Sequence, residues 1–142
     1  MNDNEPKVNP WLIALTVMLP TFMEVLDTTI ANVALSHIAG SLSVSTDEST
    51  WVLTSYLISN AIVIPCTAWL GQRFGRKNFL MFCVIVFTAA SFLCGLATSL
   101  PMLLALRVIQ GAGGGAFQPI AQAIMLESFP KEKHGVGMGV YG

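Results

Sequence analysis

Four segments of this 142-residue sequence are apolar over about twenty residues or more, and this feature limits the possible folds more than any other. A helix needs about 20 mostly apolar residues to cross the hydrocarbon core of a bilayer. The segments are 11–38, 51–71, 79–98 and 100–126, and residues 135–142 resemble the start of a fifth. Sustained alternation of apolar and polar residues is absent, so the sequence predicts an all-α integral membrane protein, a bundle of transmembrane helices.

The composition agrees with a membrane protein. Only 11% of the residues are charged and 54% are hydrophobic, whereas a soluble domain has about 25% charged residues. The three cysteines lie inside apolar segments and lack the spacing of a disulfide framework or a zinc site. Phosphate-binding loops, metal-ligand clusters and nucleophile–base arrangements are missing, and no basic patch suggests nucleic acid. The sequence therefore predicts neither an enzyme nor a metal site.

The basic residues predict the orientation of the chain. Loops 39–50 and 99–101 contain no Lys or Arg, and one basic residue, Arg107, lies within a helix. The others would all lie on the opposite side of the membrane: Lys7, Arg73, Arg76, Lys77, Lys131 and Lys133. Because Lys and Arg concentrate in cytoplasmic loops, we expect a cytoplasmic tail at 1–10 and a transmembrane domain at 11–142. The first apolar segment has no obvious cleavage site, so we expect it to stay as a helix.

Three charged residues lie inside the apolar segments: Glu24 and Asp27 in the first, and Arg107 in the fourth. Each charge in hydrocarbon costs about 2.5–3.5 kcal/mol, so each requires an explanation. At a rise of about 1.5 Å per residue, Asp27 and Arg107 lie about 6 Å and 8 Å from the same membrane face. An ion pair between them would offset much of the desolvation cost.

Glu24 lies three residues before Asp27, on roughly the same helix face, and nearer the midplane, where transporters bind substrates. One arginine cannot neutralise two carboxylates, and burial disfavours the charged form of an acid. At least one of the two acids is therefore a candidate proton carrier. The alternative is a buried ion pair that only locks two helices together. Asn32, Gln110 and Gln118 are further candidates for polar groups in a cavity.

The fourth segment also contains a GxxxG pattern, formed by Gly111 and Gly115. Such glycines let two helices approach closely in a membrane. We expect helix packing here, and the position just after Arg107 also suits a helix that faces a cavity.

Three segments together resemble the major facilitator superfamily, and more narrowly its fourteen-helix drug:proton antiporter branch. Residues 26–35, LDTTIANVAL, are similar to the first-helix signature of that branch. Residues 103–113, LLALRVIQGAG, resemble the fourth-helix motif, whose arginine is implicated in proton coupling. Residues 68–77, AWLGQRFGRK, resemble the loop motif between helices two and three.

The loop motif matches at Arg73, Gly75, Arg76 and Lys77 but departs from the pattern at two positions. Ala68 replaces the usual first glycine, and Gln72 replaces an aspartate that is thought to bridge to a neighbouring helix end and gate the conformational change. The resemblance thus implies a gating segment here, without the charge of that aspartate.

The resemblance implies a secondary transporter that exports amphipathic, cationic drugs from the bacterial inner membrane in exchange for protons. The resemblance implies that Arg107 takes part in proton coupling. The buried carboxylates supply the rest of the hypothesis, in which Asp27 couples to protons with Arg107, while Glu24 attracts the cation or holds a second proton. No cofactor besides the proton gradient is implied; the ligands are drug-like molecules and protons, in contact with membrane lipid. It further implies that the chain is part of a longer protein, and suggests a periplasmic adaptor and an outer-membrane channel as partners in a double-membraned bacterium.

Two other functions remain open from the sequence. One is a small four-helix exporter that works as a dimer, which the chain length and a glutamate in the first helix would suit. Arg107, the basic segment 73–77 and the start of a fifth helix argue against it. The other is a membrane interaction protein that binds or regulates other subunits without transporting anything.

Overall fold

A computed structural model of the chain describes residues 9–141, with side chains described to residue 139. The predicted tail 1–10 lies mostly outside these residues, as does Gly142 of the predicted fifth helix. The α-helices are α1 Pro10–Leu42, α2 Thr46–Phe74, α3 Arg76–Cys94, α4 Leu100–Gly114, α5 Phe117–Ser128 and α6 His134–Tyr141, with a 3-10 helix at Lys131–Lys133 before α6. Residues 9–141 contain no strand, and the predicted all-α fold class is confirmed.

Four helical stretches are long and apolar enough to cross a membrane: α1, α2, α3, and α4 together with α5. Many large apolar side chains on them point outward; Val33 is 79% exposed and Phe92 is 70% exposed. An outward apolar surface of this kind suits hydrocarbon or further helices rather than water.

Local sequence signals explain where α1 and α2 begin. Asn9 caps α1 by accepting a hydrogen bond from the Trp11 amide, and Pro10 occupies the first turn, where its missing N–H is not needed. Ser45 and Glu48 form a reciprocal capping box at the start of α2. Because of these caps, α2 begins at Thr46, five residues before the predicted start at residue 51.

The segment predicted as a loop between the second and third helices is almost entirely helical. Gln72 and Arg73 lie in the last turn of α2, Arg76 and Lys77 lie in the first turn of α3, and only Gly75 separates the two helices. Gly75 has a φ of 83°, a conformation that glycine adopts without the steric cost of a side chain. One such residue is enough to reverse the chain, so the basic residues end up on helix termini.

The fourth predicted helix, 100–126, is divided in the structure. α4 ends at Gly114, two residues intervene, and α5 begins at Phe117. Pro119 explains the break, because proline has no N–H to donate to the carbonyl of Gly115 and its ring crowds that carbonyl. The glycines before it add no side-chain packing that would hold the helix straight.

The glycines of α4 bring α2 and α3 close to it. A side chain at Gly111 would place its Cβ 2.5 Å from the carbonyl oxygen of Tyr56, and one at Gly115 would come within 2.7 Å of that of Asn60. A Cβ at Gly113 would come within 3.0 Å of the carbonyl oxygen of Cys83 on α3. α5 then packs through Phe117, whose ring lies 5.2 Å from that of Phe87. α4 is thus the helix against which the candidate site is assembled.

Candidate functional site

Arg107 lies on the face of α4 that packs against α2, and only 3% of it is exposed. Its Nη1 donates to Asp27 Oδ2 at 2.6 Å and to Gln110 Oε1 at 2.8 Å. Its Nε donates to the carbonyl oxygen of Val52 at 3.4 Å. The arginine and the aspartate, which the sequence placed at similar depth, are therefore in contact, and the positive charge of one neutralises the negative charge of the other.

Glu24 lies one turn away on α1 and has a different environment. Its Oε1 accepts hydrogen bonds from Asn60 Nδ2 at 2.9 Å and from the Tyr56 hydroxyl at 3.3 Å. Its Oε2 is buried and has no hydrogen-bond partner among the described residues. The ion pairs within residues 9–139 are Arg107–Asp27 and Arg76–Glu127, so Glu24 has no basic partner there.

Tyr56 lies beside Glu24 and Arg107 and is 1% exposed. Its hydroxyl donates to Glu24, while the Arg107 Cζ lies 4.9 Å from the centroid of its ring. At this distance the guanidinium is attracted to the ring face. One side chain of α2 therefore contacts both the glutamate and the arginine that holds Asp27.

A cavity of about 230 Å³ opens beside Glu24 where α1, α2 and the break between α4 and α5 meet. Glycines and polar groups line one part of it, and aliphatic side chains line the rest. The lining residues are Glu24, Val25, Thr28, Tyr56, Leu57, Asn60, Ile64, Gly114, Gly115 and Gln118. A carboxylate in a small cavity lined by both polar and apolar groups can bind a proton or a cationic group.

The three predicted cavity residues occupy three different places. Gln118 lines the cavity. Gln110 is fully buried and accepts from Arg107 instead, because three residues along a helix return to the same face. Asn32 is exposed and lies outside the cavity lining; five residues after Asp27, it is rotated about 140° from it around α1.

The predicted gating residues lie far from this cavity, at the end of the bundle where α2 meets α3. Arg76 forms an ion pair with Glu127 of α5 and donates to the carbonyl oxygen of Ala123 at 3.3 Å. Gln72, Arg73 and Lys77 are exposed. Arg76 thus joins the first turn of α3 to the last turn of α5.

Tyr56, Asn60 and Glu127 are not among the residues predicted from the sequence. Tyr56 and Asn60 have a signal, since together with Ser59 they place polar groups at three- and four-residue spacing on one face of an otherwise apolar helix. Glu127 has one too, because an acid in the last turn of a helix is unfavourable to the helix dipole and calls for a basic partner. Within the described residues, no three His, Cys, Asp or Glu side chains are grouped to hold a metal ion.

Comparison with known proteins adds a family to this geometry. The model of the Major Facilitator Superfamily matches residues 17–142. The chain is 45% identical over 130 residues to the multidrug export protein EmrB of Haemophilus influenzae, which covers 92% of the chain and 26% of that relative. It is 41% identical over 143 residues to EmrB of Escherichia coli K12, covering 99% of the chain and 28% of that relative.

A third relative is named for a different role. The fatty acid resistance protein FarB of Neisseria gonorrhoeae is 39% identical over 129 residues, covering 91% of the chain and 25% of FarB. The chain thus spans about a quarter of the length of these curated relatives. No solved structure gives a significant match.

Proposed function

The chain belongs to the major facilitator superfamily of membrane transporters, and from this we propose that it is part of a proton-coupled exporter of amphipathic, cationic drugs. The family and the membrane-length helices make the chain part of a multi-pass transporter rather than an enzyme. The names of the two most similar relatives described above support drugs as substrates. Membership of this family also argues against a small four-helix dimeric exporter.

The observation that carries the proposal is the surplus carboxylate of Glu24. It lies in a membrane-length helix, opens on a cavity and lacks a basic partner among residues 9–139. A scaffold would have little use for this, because an uncompensated charge in hydrocarbon destabilises the protein. A transporter has a use for it, because the cavity can hold cargo beside the carboxylate and the carboxylate itself can bind a proton.

Exchange follows from competition at one acid. An ionised carboxylate attracts a cation, while a protonated one does not, so cargo and proton exclude each other at Glu24. The buried Asp27–Arg107 pair is the second part of the proposed mechanism. Protonation of Asp27 would remove its attraction for Arg107, and this would free the arginine to change its contacts with α2. We assign proton coupling to this pair, and cation attraction or a second proton to Glu24.

The remaining parts of the proposal concern placement and partners. We place the protein in the bacterial inner membrane with its N-terminus in the cytoplasm, supported by the one-sided distribution of Lys and Arg. The segment around Gln72 and Arg76 would then lie at the cytoplasmic end, where the Arg76–Glu127 pair supports a gating role. A periplasmic adaptor and an outer-membrane channel stay predictions from the family resemblance alone.

The cation site is tested by efflux of ethidium from proteoliposomes that contain the protein expressed from the complete reading frame of this chain. We expect Glu24→Gln to lower the apparent affinity for ethidium about tenfold or more, because a hydrogen-bonded charge contributes about 1.5–3 kcal/mol and 1.4 kcal/mol corresponds to tenfold. Glu132→Gln, the same change at an exposed residue of the 3-10 helix, should leave transport unchanged. If Glu24→Gln transports ethidium as the parent does, Glu24 is not the cation site.

A further inference from the structure

Within the described residues, the side chain of Tyr56 contacts both the Glu24 carboxylate and the Arg107 guanidinium. Neither the family match nor the sequence motifs assign it a role. Its hydroxyl donates to Glu24 Oε1 at 3.3 Å, and Arg107 Cζ lies 4.9 Å from its ring centroid. Arg107 in turn holds Asp27 at 2.6 Å. The four side chains form one chain of contacts that runs from the cavity to the buried ion pair.

The ring of Tyr56 has little room to move independently of its neighbours. A Cβ at Gly114 would come within 2.5 Å of the Tyr56 hydroxyl oxygen and 3.4 Å of Phe87. On the backbone side, a Cβ at Gly111 would come within 2.5 Å of the Tyr56 carbonyl oxygen. A displacement of the hydroxyl therefore tilts the whole ring, and the ring face is what contacts Arg107. In a close-packed interior such a shift is passed on rather than absorbed.

We propose that Tyr56 is a positioning residue that couples the occupancy of Glu24 to the strength of the Asp27–Arg107 ion pair. When Glu24 is ionised, the hydroxyl donates to it and the ring stays against Arg107. When a proton or a cation occupies the carboxylate, the hydroxyl loses part of its acceptor, the ring tilts, and Arg107 loses part of its attraction to the ring. This inference rests on the proposed function, because it takes Glu24 to be the site where proton and cargo exchange.

Tyr56 differs in this respect from Asn60, the other donor to Glu24. Both side chains donate to the same oxygen, Oε1. The ring of Tyr56 also lies against Arg107, whereas the side chain of Asn60 makes its hydrogen bond within the described residues to Glu24. Both donors should therefore stabilise the ionised Glu24. Only the Tyr56 contact should also affect how strongly Glu24 and Asp27 influence each other.

Ionisable groups on three helices lie around Glu24 and can influence its titration. Asp27 faces it from α1, Tyr56 from α2, and Arg107 approaches from α4 through Tyr56. α5 contributes the uncharged Gln118 to the cavity, and α3 contributes no residue to its lining. Coupling is then the amount by which Asp27→Asn shifts the titration of Glu24.

The titration of Glu24 is measured in the absence of any drug, from the infrared carbonyl band of its protonated form. That band is assigned by its disappearance in the Glu24→Gln variant. The sample is the ligand-free protein from the complete reading frame, in lipid nanodiscs, over a range of pH. In the parent, we expect Asp27→Asn to shift the midpoint by about one pH unit or more, which corresponds to 1.36 kcal/mol or more. In the Tyr56→Phe background, which keeps the ring and removes the hydroxyl, that shift should fall to half or less.

Two control backgrounds separate positioning from simple loss of a bond. Each donor stabilises the ionised carboxylate, so Asn60→Ala and Tyr56→Phe should each move the Glu24 midpoint, by about one pH unit for a hydrogen bond to a charged group. Asn60→Ala should nevertheless retain the full shift caused by Asp27→Asn. Ser59→Ala removes another hydrogen bond between α2 and α4, from Ser59 to the carbonyl oxygen of Val108 at 2.6 Å, and should alter neither quantity.

Three results would overturn the inference. They are an undiminished Asp27→Asn shift in Tyr56→Phe, an equal loss of the shift in Asn60→Ala, and an equal loss in Ser59→Ala, which would indicate loosened helix packing. Because the measurement uses no drug, its failure is distinct from a failure of ethidium efflux, which would instead reject the proposed substrate class.

Discussion

Glu24 and Asp27 lie three residues apart on α1, yet their surroundings differ in kind. Asp27 is neutralised by the guanidinium of Arg107, whereas Glu24 accepts hydrogen bonds from the uncharged donors Tyr56 and Asn60 and has no basic partner within residues 9–139. An acid with neutral donors is free to take up a proton or an ammonium group, while an acid in a buried ion pair must first lose its partner. At the scale of single residues, this contrast is the physical basis of the proposed exchange.

The strength of the ion pair gives a prediction at the same scale. Removing one partner of a buried pair leaves the other charge uncompensated and costs about 3–5 kcal/mol, while removing both avoids that penalty. We expect Arg107→Met to lower the free energy of unfolding by about 3 kcal/mol. The double variant Asp27→Asn/Arg107→Met should recover at least half of the loss. Equilibrium unfolding in mixed detergent–SDS micelles measures both, and equal destabilisation by the single and double variants would contradict the pairing.

The residues that could be predicted from sequence are those whose charge is itself the signal. Glu24, Asp27 and Arg107 stand out because ionisable side chains are rare in apolar segments. Tyr56 and Asn60 do not, because an uncharged polar side chain in a helix is often satisfied by its own backbone, as Thr67 is by the carbonyl oxygen of Val63 at 3.0 Å. The contact of Tyr56 and Asn60 with Glu24 depends on how α1 packs against α2, which the sequence alone does not show.

At the scale of elements, α4 determines how closely its neighbours approach. Gly111 and Gly115 face the backbone of α2, and Gly113 faces that of α3. The GxxxG pattern predicted close packing but could not identify the partner helices, because a pattern within one helix contains no information about the other. The sequence likewise contained Pro119, yet the break at residues 115–116 depends on how that proline and the preceding glycines act together.

Close approach makes α4 sensitive to added volume, which gives a prediction for the element. Gly111→Ala would force its Cβ against the carbonyl oxygen of Tyr56, so we expect a loss of about 1–3 kcal/mol in the free energy of unfolding. Gly40→Ala is the matched control, because a Cβ there meets nothing within 4 Å. It should be neutral or stabilising by up to about 1 kcal/mol. Similar effects of the two variants in the same SDS titration would argue against tight packing of α4 on α2.

At the scale of the whole molecule, the described helices hold two charged sites at well-separated depths. Glu127 lies twenty residues after Arg107 along α4 and α5, which corresponds to about 30 Å at 1.5 Å per residue. The fold class could be predicted because apolar length alone requires helices in a membrane. The contact between Arg76 and Glu127 could not, since it depends on where α3 begins and α5 ends in space. The chain spans about a quarter of its relatives, and transport is a proposal for the whole protein.

The most direct test of that proposal is ethidium transport driven by an imposed pH gradient, measured in proteoliposomes with the protein from the complete reading frame and with its Asp27→Asn variant. We expect the parent to accumulate or release ethidium according to the direction of the gradient. We expect Asp27→Asn to bind ethidium still but to stop responding to the gradient, because the carboxyl whose protonation would release Arg107 is gone. Gradient-driven transport by Asp27→Asn at the rate of the parent would contradict the assignment of proton coupling to the Asp27–Arg107 pair.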